Sequence, residues 1–482
     1  MKQIPHFALR FLMQLVIVFI MLPAVAQQTD QVSSAPAESA AVADTSARDS
    51  APSAGLALAP TPLPMAAAPL TRPTLVDSST ISAGDTAWML TSTALVLLMT
   101  IPGLALFYTG MVRKKNALGT MAHSFITVCI VTVLWVLVGY SLAFTPGSPF
   151  LGGATRVLLE GLEYVKDSGK LTVHELAPTV PESVFMMFQL TFAIITPALI
   201  AGAFAERMKF SALVLFITIW SLVVYAPIAH WVWEPGGWLA AKGVLDFAGG
   251  TVVHINAGIS GLVAAIMVGP RAGFGKEPMP PHNLVLTVVG ASMLWVGWFG
   301  FNAGSAGAAD GRAGMAMLVT QVATAAAALG WMSVEWLRRG KPSVLGMVSG
   351  AVAGLVAITP ASGYVSTGGA LAIGALGGMV CYWGATSLKS MFGYDDSLDV
   401  FGVHAIAGIL GALLTGVFAV KNIGGVEGNI GTQAFGVIVT VVYSALMSAA
   451  ILAVVNLLVG LRLTPEQERD GLDLQQHGEH VV

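Results

Sequence analysis

This 482-residue chain has little charge: Asp, Glu, Lys and Arg together make 10% of it. A soluble globular domain carries about 25%, so that class is excluded. The formal net charge is −3, which offers no basic footprint for nucleic acid. Cysteine is nearly absent. Cys129 and Cys381 each lie in an apolar run, so no disulfide framework or CxxC metal site can be built. Both read as small buried apolar side chains. No HExxH stretch occurs and no nucleophile–base pattern stands in the apolar runs. The chain therefore does not read as an enzyme, and nothing in it implies a cofactor.

What is abundant is apolar. Hydrophobic residues make 55% of the chain and the mean hydropathy is +0.77. The 54 glycines fall mainly inside the apolar runs, as close helix–helix packing in a bilayer requires. The reading is an all-α polytopic membrane protein in contact with lipid.

Residues 1–26 carry the marks of a secretory signal: Lys2 and Arg10, an apolar core from Phe11 to Leu22, and the small residues Ala24-Val25-Ala26. Residues 27–84 are rich in Ala, Pro, Ser and Thr and read as a disordered extracytoplasmic linker. Residues 85–461 form the membrane domain, with apolar spans at 86–110, 119–144, 182–205, 210–232, 248–269, 284–304, 313–336, 343–359, 366–388, 398–420 and 432–461. Each can cross a hydrocarbon core of about 30 Å. Residues 462–482 are left as a polar cytoplasmic tail. With the mature N-terminus outside, eleven Lys and Arg fall in the inner short loops, among them Arg113 and Arg271, against six outside, among them Arg312. This bias agrees with the signal.

Two stretches echo each other. Residues 253–261 and 403–411 both read V-H-x-x-A-G-I-x-G, with His254 and His404 150 residues apart. An ionisable group in lipid is a functional-site hypothesis by default, although polar side chains also brace helices. His254 falls in the fifth span and His404 in the tenth. A repeat of five spans has odd length, so its second copy is inverted, with a pathway between the halves. Two histidines alone are too few ligands for a metal site. His123 and His230 belong to no repeat and receive no role.

At this point a resemblance enters. Asp246 to Asn256 (DFAGGTVVHIN), Gly297 to Ser305 (GWFGFNAGS) and Asp399 to His404 (DVFGVH) closely resemble the ammonium transporters, the Amt family related to the Rh proteins. So do Gln189 to Ala193 (QLTFA), Ala203 to Arg207 (AFAER) and the tail from Glu466 to Glu479 (EQERDGLDLQQHGE). The resemblance covers roughly residues 85–480. It implies eleven transmembrane helices in an inverted five-plus-five repeat with one extra helix, assembled as a homotrimer with one pore per subunit.

The resemblance also assigns roles. His254 and His404 are matched to paired pore histidines, Phe192 and Phe301 to a stacked gate. Trp233, Phe192 and Ser305 are matched to an outer ammonium site. Residue by residue, blander readings stay open: a Trp at the outer end of a span is commonly an interfacial anchor, and a Phe in an apolar run is commonly core. Phe188, four residues before Phe192, can share its helix face and line the vestibule, or simply pack. Asp246 can attract cations or cap a helix, and capping is the first reading; Asp399 reads likewise as a cap. The stretch Trp233 to Trp238 (WEPGGW) carries Glu and Pro where the family is usually glycine-rich, which bears on the outer geometry. The resemblance implies ammonium, with methylammonium as analogue, carried across the plasma (inner) membrane. It also implies a PII-type regulator at the cytoplasmic face. A sensor or a passive gas channel using the same site is the alternative.

Overall fold

In the computed structural model, residues 73–481 are described below; the signal and linker readings on residues 1–72 lie outside them. Among the described residues, ten helices are long and apolar enough to cross a membrane: α1 Ala83–Met111, α2 Lys114–Phe144, α3 Glu182–Phe204, α4 Phe210–Ala241, α5 Gly250–Val268, α6 Leu284–Gly304, α7 Gly311–Arg339, α9 Thr367–Phe392, α10 Phe401–Phe418 and α11 Ile430–Val459. Between α7 and α9 stands α8, Val344–Ile358, with 15 residues. At 1.5 Å per residue it rises about 22 Å, short of the ~30 Å core. The protein is a multi-pass membrane protein.

Several helices start where short polar side chains cap them. Ser82 accepts from the Asp85 amide at 3.1 Å, Asp310 from Ala313 at 2.9 Å, Ser343 from Gly346 at 2.9 Å and Asn429 from Thr432 at 2.9 Å. Each satisfies one of the donors that a helix N-terminus leaves unpaired. α7 ends at Gly340, whose φ of +75° suits glycine and not an L side chain. α7, α8 and α9 pack on one another, α1 packs along α6, and α5 lies against α11.

Three sequence expectations need correction. The chain is not all-α. Strands β1 Thr74–Asp77, β4 Tyr164–Val165, β5 Lys170–His174 and β6 Ala177–Pro181 form an antiparallel sheet between α2 and α3, with β5 paired to the other three; β2 Gly147–Ser148 and β3 Leu151–Gly152 make a separate hairpin. The disordered-linker reading therefore ran too far. Residues 74–84 are ordered, because β1 pairs with β5 from Thr74↔Val173 to Asp77↔Lys170. Finally, Cys381 is buried but Cys129 is exposed. In a lipid-facing helix the outward side is as apolar as the inward one, so hydrophobicity does not report burial.

The sheet is tied to the helices by His174. Its ring stacks on Phe185 at 4.3 Å, its Nε2 lies 2.9 Å from the Phe144 carbonyl, and its Nδ1 accepts the Leu176 amide at 3.2 Å. That geometry needs a neutral ring with the proton on Nε2. Burial pushes the imidazole down to about 4 from an ordinary 6.5. Between these values the unfolded chain binds the extra proton, so the stabilisation is whole above pH 6.5 and drains as pH falls through 4. At full protonation the loss is about 3 kcal/mol. The protection of β5 and β6 amides against hydrogen exchange, taken relative to the intrinsic exchange rate at each pH, should therefore fall between pH 6 and 4, and His174→Phe should flatten that dependence. Equal acid sensitivity in the variant would refute the assignment.

Candidate functional site

α5 and α10 each open on a wide, π-type turn that carries the motif histidine: Gly250–Ile255 holds His254 and Phe401–Ala405 holds His404. The glycine four residues after each histidine sets the approach. A Cβ on Gly258 would overlap the Ala405 backbone nitrogen, and one on Gly408 would lie 2.9 Å from the Gly250 oxygen. The repeated His-x-x-x-Gly spacing thus lets the two helices cross in contact and brings the rings together. The Nδ1 atoms are 3.3 Å apart and the rings lie 16° from parallel. The pair is buried, at 1% and 4% exposure.

A row of rings leads to them. Trp233 meets Phe192 edge-on at 5.7 Å. Phe192 lies 4.2 Å from Phe301, and Phe301 lies 5.9 Å from His254. Trp298 stacks on His254 at 5.3 Å, 17° from parallel. Phe188 touches Phe192 at 5.0 Å. One end of the row opens into a cavity of about 260 Å³ lined by Phe188, Phe192, Trp233 and Ser305, on the side that the bias of basic residues predicts to be the outer one. At the other end His404 borders a cavity of about 40 Å³ with Tyr108, Trp331 and Asp399. That is room for a water-sized solute, which needs about 10–15 Å³. Trp331, Leu345, Ser349 and Asp399 border both this cavity and a larger one of about 580 Å³. Phe301 and His254, at 0% and 1% exposure, stand between the outer and inner spaces.

The outer cavity sets polar groups of Gln189, Trp233, Asp246, Ser305, Arg312 and Tyr364 beside its rings. The Ser305 hydroxyl donates to the Phe301 carbonyl at 2.8 Å, which leaves its oxygen able to accept. The Trp233 indole donates to the Asp246 backbone oxygen at 2.9 Å, so the ring is held from the loop before α5. Gln189 also lines the cavity, and its Oε1 has no hydrogen-bond partner among the described residues. Sequence reasoning placed Gln189 in a matching motif but gave it no role. Glu234, in the departing stretch, is 4% exposed and turns its carboxylate onto the Gly236 amide at 2.6 Å.

Asp246 is buried at the start of α5. Its Oδ1 accepts the Gly249 and Gly250 amides at 2.9 and 2.6 Å, and its Oδ2 accepts Thr251 and Val252 at 2.8 and 3.0 Å. Burial lifts this carboxyl above the usual carboxylate range, and the four amides pull against the lift. Asp399 does not cap α10, contrary to the sequence reading. Its φ is +58°, and its carboxylate pairs with Lys389 at 2.7 Å. The capping acid is Asp396, whose Oδ2 accepts the Phe401 amide at 2.7 Å. Burial raises its carboxyl to about 6. Two acids three residues apart cannot be ranked by spacing alone; the left-handed backbone at Asp399 turns its side chain away.

Beneath α10 lies an ionic cluster that sequence reasoning missed. Glu206 pairs with Arg113 at 2.7 Å and Arg271 at 3.4 Å, and Asp395 pairs with Arg271 at 2.8 Å. Burial would raise the Glu206 carboxyl, but Arg271 and Arg113 hold it below the usual range. The tail is fastened beside this cluster. Glu468 pairs with Arg462 at 2.7 Å and accepts the Ala272 amide at 2.6 Å, while Asp473 accepts the Gly119 amide at 2.8 Å. Among the described residues, no group of three or more His, Cys, Asp and Glu could hold a metal ion.

Known proteins resemble this chain in sequence and fold. The sequence model of the Ammonium Transporter Family matches residues 87–482. An ammonium transporter of Bacillus subtilis is 49% identical over 82% of this chain and 98% of its own length. One of Aquifex aeolicus is 50% identical over 83% and 93%. The crystal structure of Saccharomyces cerevisiae Mep2 superposes with a TM-score of 0.74 at 32% identity, covering 81% of this chain and 89% of that one. A solved sensor Amt protein superposes with a TM-score of 0.74 at 28% identity, over 82% and 98%. On the match of the family model and the extent of these identities, the chain belongs to the ammonium transporter family.

Proposed function

We propose that this protein moves ammonium across the plasma (inner) membrane by carrying neutral ammonia and its proton separately. Ammonium is recognised from outside by the Trp233 and Phe192 faces, which attract a cation by about 0.5–2 kcal/mol, and by the Ser305 oxygen, with Phe188 alongside. It gives up a proton at the outer cavity. Ammonia passes the Phe192–Phe301 pair and meets the two imidazoles. Potassium matches ammonium in charge and nearly in size but has no proton to shed. A bare ion at the bilayer centre costs several kcal/mol or more, so an apolar route excludes it.

The imidazole pair carries this reading. With one proton between two Nδ1 atoms 3.3 Å apart, one ring presents Nε2–H and the other a bare Nε2. A proton taken up at the bare Nε2, a transfer between the Nδ1 atoms and a release at the other Nε2 move one positive charge along the row. Transport is then electrogenic. The reading includes eleven crossings with α8 as the short one, an inverted repeat of α1–α5 and α6–α10, a homotrimer, and an outer N-terminus with the tail cytoplasmic. It also includes a PII-type regulator at the inner face.

Purified protein in proteoliposomes should pass an inward current on ammonium or methylammonium and none on potassium. Methylammonium entry without current would favour a passive channel. Binding without entry would favour a sensor, as the solved sensor Amt protein of this fold is named.

A further inference from the structure

The outer cavity carries a fixed positive charge where a cation is to be captured. Of the side chains lining it, only Asp246 and Arg312 are charged. The Asp246 carboxylate is turned into the α5 N-terminus and filled by four amides, where the partial positive charge of the helix end offsets it. Arg312 has no such partner. Its guanidinium lies 4.8 Å from the Phe247 ring centroid and 5.2 Å from that of Tyr364, and its Nε–H donates to the Gly363 carbonyl at 3.3 Å. Among the described residues it forms no ion pair with a carboxylate. Phe247 and Tyr364 also line the cavity, so the chain's own cation occupies an aromatic pair at the mouth.

We infer that Arg312 is a specificity-determining residue which weakens cation capture in proportion to charge. This rests on the transport reading above. A unit positive charge lowers monovalent occupancy by some factor and divalent occupancy by the square of that factor, because Coulomb energy is linear in charge. Neutral ammonia is untouched. The guanidinium therefore keeps divalent cations out of the mouth at a modest cost in ammonium affinity. It also prevents a captured monovalent ion from being held tightly.

R312Q and R312M remove the charge, and R312M keeps the stem over both rings. In proteoliposomes both variants should lower the half-saturating methylammonium concentration by about three- to tenfold, as expected for a unit charge screened by a partly watered site. With methylammonium held well below its half-saturating concentration, the Mg²⁺ concentration that halves the current should fall by the square of that factor. R312K should recover most of the parent's values. A half-saturating concentration that is unchanged or raised, or a Mg²⁺ shift no larger than the methylammonium shift, overturns the inference. A parent that passes no methylammonium current overturns the transport reading instead.

Discussion

His254→Ala and His404→Ala should each cut methylammonium current at least tenfold while leaving the folded protein intact. The physical reason is the sharing of one proton. Each Nδ1 has the other as its hydrogen-bond partner, and both rings are buried. Removing one imidazole leaves the other nitrogen unpaired in an apolar route, which costs about 1–3 kcal/mol. If that loss falls on the conducting state, it corresponds to roughly five- to 150-fold in rate. Proton movement between rings is lost as well, so current should fall further than methylammonium entry. Folding should suffer less, because the crossing of α5 and α10 rests on Gly258 and Gly408 rather than on the rings. The check is paired: tracer entry and current in proteoliposomes, with thermal unfolding in detergent as the control for folding. Two variants that conduct like the parent would remove the histidine pair from the pathway. A variant that merely unfolds would show first in the detergent melt.

Much of this architecture was legible because a bilayer imposes simple rules. The spans stood out by length and apolarity, and the His254 and His404 motifs by their own repetition. The residues around them were harder to read, for definite reasons. Cys129 shows that an apolar helix does not announce which face looks outward. The strands β1, β4, β5 and β6 are two to five residues long, too short for alternation to rise above a Pro-, Ser- and Thr-rich background. Asp396 and Asp399 carry the same side chain, and only the backbone turn decides which one meets the Phe401 amide. The Glu206 cluster joins residues from four separate stretches, Arg113, Glu206, Arg271 and Asp395. Arg113 and Arg271 alone read as loop charges of the kind that set orientation, and nothing in the sequence pairs them with Glu206 and Asp395. Arg312 was counted in that way too. Its place over Phe247 and Tyr364 is a tertiary fact.

Asp246→Ala should prevent recovery of folded protein, and Asp246→Asn should lower stability by about 3 kcal/mol or more. Alanine leaves four amides, those of Gly249, Gly250, Thr251 and Val252, without their acceptor. At about 1–3 kcal/mol for each buried unpaired group, the sum rivals the 5–15 kcal/mol that holds a typical domain together. Asparagine keeps one accepting oxygen for two amides but turns an NH₂ group toward the other two, donor against donor. It also removes the charge that complements the helix end. A cation-attracting role would give another outcome. In that case Asp246→Asn would melt like the parent, and only the half-saturating ammonium concentration and its salt dependence would change. Capping and function meet at Trp233, whose indole is held by the Asp246 backbone oxygen. A loosened cap should therefore raise the half-saturating concentration in the same samples whose melting temperature falls. An Asp246→Asn variant with an unaltered melt and weakened, salt-sensitive capture would reverse the assignment and make the carboxylate part of the outer site.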